Sequence, residues 1–203
     1  MAAPWGLVLA GGPGSRMGGG KPLKKIAGRR LIDRALDTLG GLCPKTMVVT
    51  VDVAALAGLQ VPVLRDRWPE QGPLNAIATA FLDSEAESFM VLAVDLPLVE
   101  PKLLELIMSG CEDHKARAPM GEKGPQPLLA YYHRKCLPAA LRLMEQGEFR
   151  ARMLLKAVGA NYIPREQVLK VDPEELSFLN VNYPEDLDKA YQLGRMRGLF
   201  DTE

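Results

Sequence analysis

Gly6-Leu-Val-Leu-Ala10 is a compact apolar run that stops at a glycine-dense segment, Gly11-Gly-Pro-Gly-Ser-Arg-Met-Gly-Gly-Gly-Lys21. Five residues without polar alternation read as a strand buried on both faces, the condition of strands in a parallel sheet covered by helices. Working outward, Leu31–Leu42 carries Leu31, Ile32, Ala35, Leu36 and Leu39 at helical spacing, and Met47–Val51 is a second strand-like run. Val61–Leu64 reads as a short third strand, placed near an edge by Pro62. Helices are expected from Pro73 to about Leu82 and over Pro101–Met108, each opened by a proline at a position where a missing N–H costs nothing.

Phe89–Val94 is the most strand-like run of the chain and ends at Asp95. Beyond it, Leu128–Tyr132 reads as a strand, Leu137–Met144 and Arg152–Val158 as helices, and Ala160–Ile163 and Phe178–Leu179 as short strands. A last helix is expected from Pro184 to about Gly194. Strand-like runs alternating with helical ones predict an α/β protein, a three-layer α/β/α Rossmann-like fold with a mostly parallel sheet, in a single domain spanning residues 1–203.

Of the 203 residues, 47% are hydrophobic and 25% charged, as in ordinary globular proteins. Lys plus Arg and Asp plus Glu both number 25, so there is no basic excess of the kind that a nucleic-acid partner requires. A small phosphorylated ligand needs only a few local cations. Cys43, Cys111 and Cys136 form no C-x-x-C pair and read as reduced thiols packed like small hydrophobes. The segment Met1–Trp5 has no basic stretch, and Leu7–Ala10 is too short for a signal peptide or membrane span, so a cytoplasmic protein is expected.

The loop after the first strand holds six of the 19 glycines. Such a loop is entropically costly to order, and phosphate oxygens gripped by converging backbone N–H groups would supply the reason. Arg16 and Lys21 lie in the same loop and add positive charge for a triphosphate. The P-loop pattern fails because Pro22 follows Lys21, and the dinucleotide pattern G-x-G-x-x-G fails at Met17. A merely flexible loop is the other reading.

Asp95 stands where open α/β sheets place their ligands, at the carboxyl end of a central strand. One carboxylate can anchor Mg²⁺ when phosphate oxygens complete its shell, although an aspartate here can also simply turn the chain. Asn180 and Asn182 flank Val181 and would face the same way on an extended stretch, either to hold phosphate and metal-bound water or to make the turn before Pro184. Arg150 and Arg152 are either an acceptor-side pair or solvated charge, and His114 and His133, lacking spaced ligand partners, read as surface residues.

The pattern L-A-G-G-x-x-x-R-M-G-x-x-K over Leu9–Lys21 resembles the signature of the molybdenum cofactor guanylyltransferases, within the wider family of small nucleotidyltransferases. Four further blocks follow in the family's order: Asp66 with Gly72-Pro73-Leu74, Asp95-Leu-Pro97, Gln126-Pro127-Leu128, and Asn180 through Asp186. Local departures are Gly14 where serine is frequent, Gly20 where aspartate is common, Thr50 in place of asparagine, and Asn75-Ala76 in the block that usually reads G-P-L-A-G.

The resemblance implies a Mg²⁺-dependent nucleotidyltransferase that moves GMP from GTP to molybdopterin and releases pyrophosphate. It implies Arg16, Lys21 and Asp95 as catalytic, and Asp95 as the metal ligand. The nucleotide would be held by Leu9, Ala10, Gly11, Gly12, Lys21, Thr50, Asp66, Gly72, Pro73, Leu74 and Asp95, with Asn180 and Asn182 on the acceptor side. Molybdoenzymes or cofactor-handling proteins are implied as partners. A cytidylyltransferase acting on molybdopterin or another small phosphate keeps the same residues, and a non-catalytic nucleotide- or cofactor-binding module is the reading of a different class.

Overall fold

The computed structural model describes residues 3–11, 20–68 and 72–200. Its strands are β1 (Trp5–Leu9), β2 (Lys25–Ile26), β3 (Arg29–Arg30), β4 (Thr46–Thr50), β5 (Val63–Arg65), β6 (Ser88–Ala93), β7 (Ala116–Gly121), β8 (Gly124–Pro125), β9 (Leu129–His133) and β10 (Asn161–Ile163). The helices are α1 (Leu31–Gly40), α2 (Pro73–Leu82), α3 (Pro101–Met108), α4 (Leu137–Glu145), α5 (Ala151–Val158), α6 (Arg165–Val171) and α7 (Pro184–Met196). The main sheet runs in the order β10-β7-β9-β6-β1-β4-β5, with β8 paired to β7, while β2 and β3 form a separate hairpin.

β1 pairs in parallel with β4 on one side and β6 on the other, and β4 pairs in parallel with β5. From β1 the chain builds outward through β4 and β5, then returns to place β6 on the opposite flank. Strand order therefore reverses at β1/β6, and the carboxyl ends of the strands at such a switch point are where open α/β sheets hold their ligands. β9 is antiparallel to both β6 and β7, which returns β7 to the direction of β6, and β10 follows β7 in parallel.

Alternation along each strand feeds two separate cores, which is what makes three layers. Val8, Val48, Met90 and Leu92 pack beneath α1, α3, α6 and α7. Leu7, Leu9, Met47, Val49, Phe89 and Val91 pack beneath α2, α4 and α5. Sealed on both faces, β6 is buried at all six positions, which is why Phe89–Val94 reads as an unbroken apolar run. Gly6 is where α1 comes closest to the sheet: a Cβ there would stand 2.9 Å from both the Leu39 Cβ and the Thr46 methyl.

Several sequence expectations need correction. Leu128–Tyr132 is a strand shifted by one residue, and it runs against its neighbours. Phe178–Leu179 is not a strand: Leu176–Phe178 forms a 3-10 turn because the buried Asp172 carboxylate accepts the N–H groups of Leu176 and Ser177. His133 is not a surface residue. It is buried at the end of β9, its Nδ1 accepting the Lys135 N–H at 3.0 Å, and burial lowers its pKa. β7, with Arg117 and Pro119 in its span, carries no strand signature; its pairing with β9 ends at Arg117, so Pro119 has no β9 carbonyl to serve. The three cysteines are free and buried, and burial alone pushes the Cys43 thiol up to about 11. Among the described residues no helix is long and apolar enough to cross a membrane.

Candidate active site

Register brings the ends of β1 and β6 together. Leu9 is the partner of Ala93, and its carbonyl accepts the Val94 N–H at 3.0 Å, so Gly11 and Asp95 leave the sheet on adjacent strands. On the other side the Ala10 N–H donates to the Val49 carbonyl at 2.9 Å. The Thr50 hydroxyl, buried at the end of β4, donates to the Ala10 carbonyl at 3.3 Å, and the Thr50 carbonyl accepts the Asp66 N–H at 2.8 Å. Leu9, Ala10, Thr50 and Asp66 are thus laced across three strand ends.

At the centre is a three-residue knot. The Lys21 ammonium donates to Asp95 Oδ2 at 2.9 Å and to Asn182 Oδ1 at 3.0 Å. Both charged side chains are mostly withdrawn from solvent, 17% exposed for Lys21 and 21% for Asp95, so the pair is less screened than a surface bridge. The other carboxylate oxygen, Asp95 Oδ1, is buried and has no hydrogen-bond partner among the described residues. An unpaired buried carboxylate oxygen is costly to maintain and is an open electron-pair donor for a cation.

The carboxyl-terminal third of the chain reaches this point by two backbone devices. The Val181 N–H donates to the Asp95 carbonyl at 2.9 Å, docking the segment. The Asp186 carboxylate accepts the N–H groups of Asn182 and Tyr183, both at 2.8 Å, at the start of α7. Those two N–H donors, with smaller help from the charges of Lys189 and Lys21, hold the Asp186 carboxyl below its usual pKa. Sequence reasoning assigned Asp186 no task, although an aspartate three residues after the helix-capping position is the available signal.

Asp66 is 6% exposed, with Oδ1 accepting the Trp68 N–H at 3.0 Å and the Thr79 hydroxyl at 3.4 Å. Burial raises its pKa, and the two hydrogen bonds partly offset that. Gly72 caps α2 with φ 128°, a conformation that favours glycine, and a Cβ there would meet the Phe149 carbonyl oxygen at 2.9 Å. The same carbonyl accepts the Leu74 N–H at 3.2 Å, so Gly72-Pro73-Leu74 rests against the Phe149 turn, a contact without any sequence signal.

Of the expected site residues, the structure brings Lys21, Asp95 and Asn182 into contact, with Leu9, Ala10, Gly11, Thr50 and Asp66 at the neighbouring strand ends. Asn180 does not share the direction of Asn182: it is exposed and its amide donates to the Phe178 carbonyl at 3.2 Å. Arg150 is exposed and ion-paired with Glu148. Arg16 and Gly12 lie outside the described residues.

Residues 6–162 match the MobA-like NTP transferase domain family. The molybdenum cofactor guanylyltransferase of Desulfosudis oleivorans is 33% identical over 196 residues, covering 94% of this chain and 95% of that protein. The crystal structure of molybdopterin-guanine dinucleotide biosynthesis protein A from Archaeoglobus fulgidus superposes with a TM-score of 0.81 at 28% identity, covering 95% of this chain and 99% of that one. The 2-C-methyl-D-erythritol 4-phosphate cytidylyltransferase of Thermus thermophilus has the same fold, with a TM-score of 0.69 at 15% identity over 95% of this chain and 99% of that one.

Proposed function

Because the chain belongs to the MobA-like NTP transferase family, we propose that this nucleotidyltransferase moves GMP from GTP onto the terminal phosphate of molybdopterin. The single observation that carries the reading is the knot of Lys21, Asp95 and Asn182, set beside the exit of the glycine loop at the switch point of the sheet.

A phosphate oxygen of the acceptor attacks the α-phosphorus of GTP, and the bond from that phosphorus to the β-phosphate's bridging oxygen breaks in line, releasing pyrophosphate. The nucleophile is already ionised, so no general base is needed. What the protein must supply is position and compensation of charge. Lys21 turns from Asp95 toward the α-phosphate oxygens, and Arg16 serves the departing pyrophosphate. The glycine-loop amides, with Leu9, Ala10, Gly11 and Gly12, hold the phosphates, while Thr50, Asp66 and Gly72-Pro73-Leu74 face the nucleoside. Asn182 serves the acceptor side, with Asn180 a weaker contributor.

The donor set fits Mg²⁺. Among the described residues Asp95 Oδ1 is a buried carboxylate oxygen without a partner, and no group of three or more His, Cys, Asp or Glu side chains could form an all-protein cage. Magnesium characteristically takes one or two carboxylates and completes its shell with phosphate oxygens and water. Bound at Asp95, it would neutralise charge on the triphosphate.

The test is pyrophosphate release with molybdopterin as acceptor and GTP, CTP, ATP or UTP as donor, with and without Mg²⁺. Release with GTP alone, dependent on metal, is expected. Equal turnover of CTP would overturn guanine transfer, and nucleotide binding without any release would leave a binding module.

A further inference from the structure

α2 carries polar side chains at Asn75, Thr79 and Asp83, the last just past its end, a spacing of four that puts all three on one face. Each grips the same short strap, Asp66–Trp68, which continues from β5 at the carboxyl edge of the sheet. The Asn75 amide donates to the Trp68 carbonyl at 2.7 Å. The Thr79 hydroxyl accepts the Arg67 N–H at 3.2 Å and donates to Asp66 Oδ1 at 3.4 Å. Asp83 takes the Arg67 guanidinium, with Nε at 3.0 Å.

This grip is more than helix stability requires. Asn75 and Thr79 are both 0% exposed, and asparagine and threonine are mediocre helix formers. Asn75 Oδ1 is moreover one of three buried side-chain atoms without a partner among the described residues. A residue chosen only to fasten a helix would not leave a buried amide oxygen unsatisfied where alanine would fit. The strap gains something that the helix does not.

We propose that Asn75 is a positioning residue for nucleotide selection: by fixing the Trp68 peptide it presents the main chain of the strap to the base in one geometry. The side chain touches no substrate. It acts through the strap, backed by Thr79 and Asp83. This rests on the guanine-transfer reading and sharpens where that preference comes from.

The test compares the full-length protein with its Asn75→Ala and Asn75→Leu variants, reading melting temperature, hydrogen exchange over residues 66–68, and KM and kcat for GTP and CTP. Asn75→Leu keeps the shape and removes the donor to Trp68. Both variants should lose amide protection in the strap, and KM for GTP should rise roughly 3–10-fold, the range for one hydrogen bond, with a matching fall in the GTP:CTP preference. The fall in kcat should be smaller. A drop in melting temperature or strap protection with KM and base preference unchanged would overturn the proposal and leave Asn75 a plain helix fastener. Failure of the wild-type protein to prefer GTP would instead strike the parent reading, so the two failures are distinguishable.

Discussion

The half of the sheet made of β4, β5, β1 and β6 and the half made of β9, β7, β8 and β10 use similar apolar material to different ends. In the first half every strand points the same way, and four consecutive carboxyl ends deliver Gly11, Thr50, Asp66 and Asp95 to one edge of the sheet. The second half reverses direction at β9, and its polar contacts are spent on holding the fold. Tyr132, fully buried, donates its hydroxyl to the Pro127 carbonyl at 2.8 Å, and Arg134 gives its guanidinium to the carbonyls of Phe81, Ser84 and Ala86. The candidate site residues thus gather where parallel strands end together, because only parallel strands put their carboxyl termini on the same edge.

The strongest way to break that contrast is Asp95→Asn, which keeps the volume and removes the charge. The protein should fold, and pyrophosphate release should fall by about 10²–10³, the typical loss for one transition-state charge contact. Wild-type turnover in the variant would remove Asp95 from the chemistry. Next comes Asn182→Ala, which releases one of the two fastenings of Lys21. A loss of about tenfold in kcat is expected, in line with one charge-assisted hydrogen bond, with little change in melting temperature. A variant that melted early and turned over normally would make Asn182 structural.

In the mixed half the expected signs exchange. Tyr132→Phe strands the Pro127 carbonyl and should cost about 1 kcal/mol, a fall in melting temperature of roughly 2–4 °C for a chain of this size, while KM and kcat stay put. A kinetic defect there would erase the division between the halves.

The smallest effect expected is at Asp66, and it depends on pH. Burial raises its pKa in the folded state, so the native protein binds that proton more readily than the unfolded chain. The burial penalty is therefore absent below the unfolded pKa of about 3.9, grows as pH rises from there towards the folded value, and is complete above it. Asp66→Asn should raise the melting temperature by a degree or two at pH 7 and do nothing near pH 3, while weakening nucleotide binding. Stabilisation that persisted unchanged at pH 3 would mean that ionisation is not its cause.

Much of the frame is legible in the sequence because it is written in local periodicity. α2 and α3 begin and end where the apolar spacing and the leading prolines place them, and Gly6–Ala10 and Phe89–Val94 differ from β1 and β6 by one residue at each end. β7 escaped because arginine and proline inside a strand contradict its own propensity, and His133 because its burial is imposed by neighbours distant in sequence.

The class of the fold, the glycine loop after β1 and the carboxylate at the end of β6 can be read from the chain alone, since each is encoded within a window of a few residues. No such window holds the meeting of Lys21 with Asn182, 161 residues away, the turning aside of Asn180, the reversed direction of β9 or the grip of Asn75 on Trp68. The reason is physical: periodicity records which face of an element is buried, whereas the partner that meets a polar atom is fixed only when all the layers pack at once.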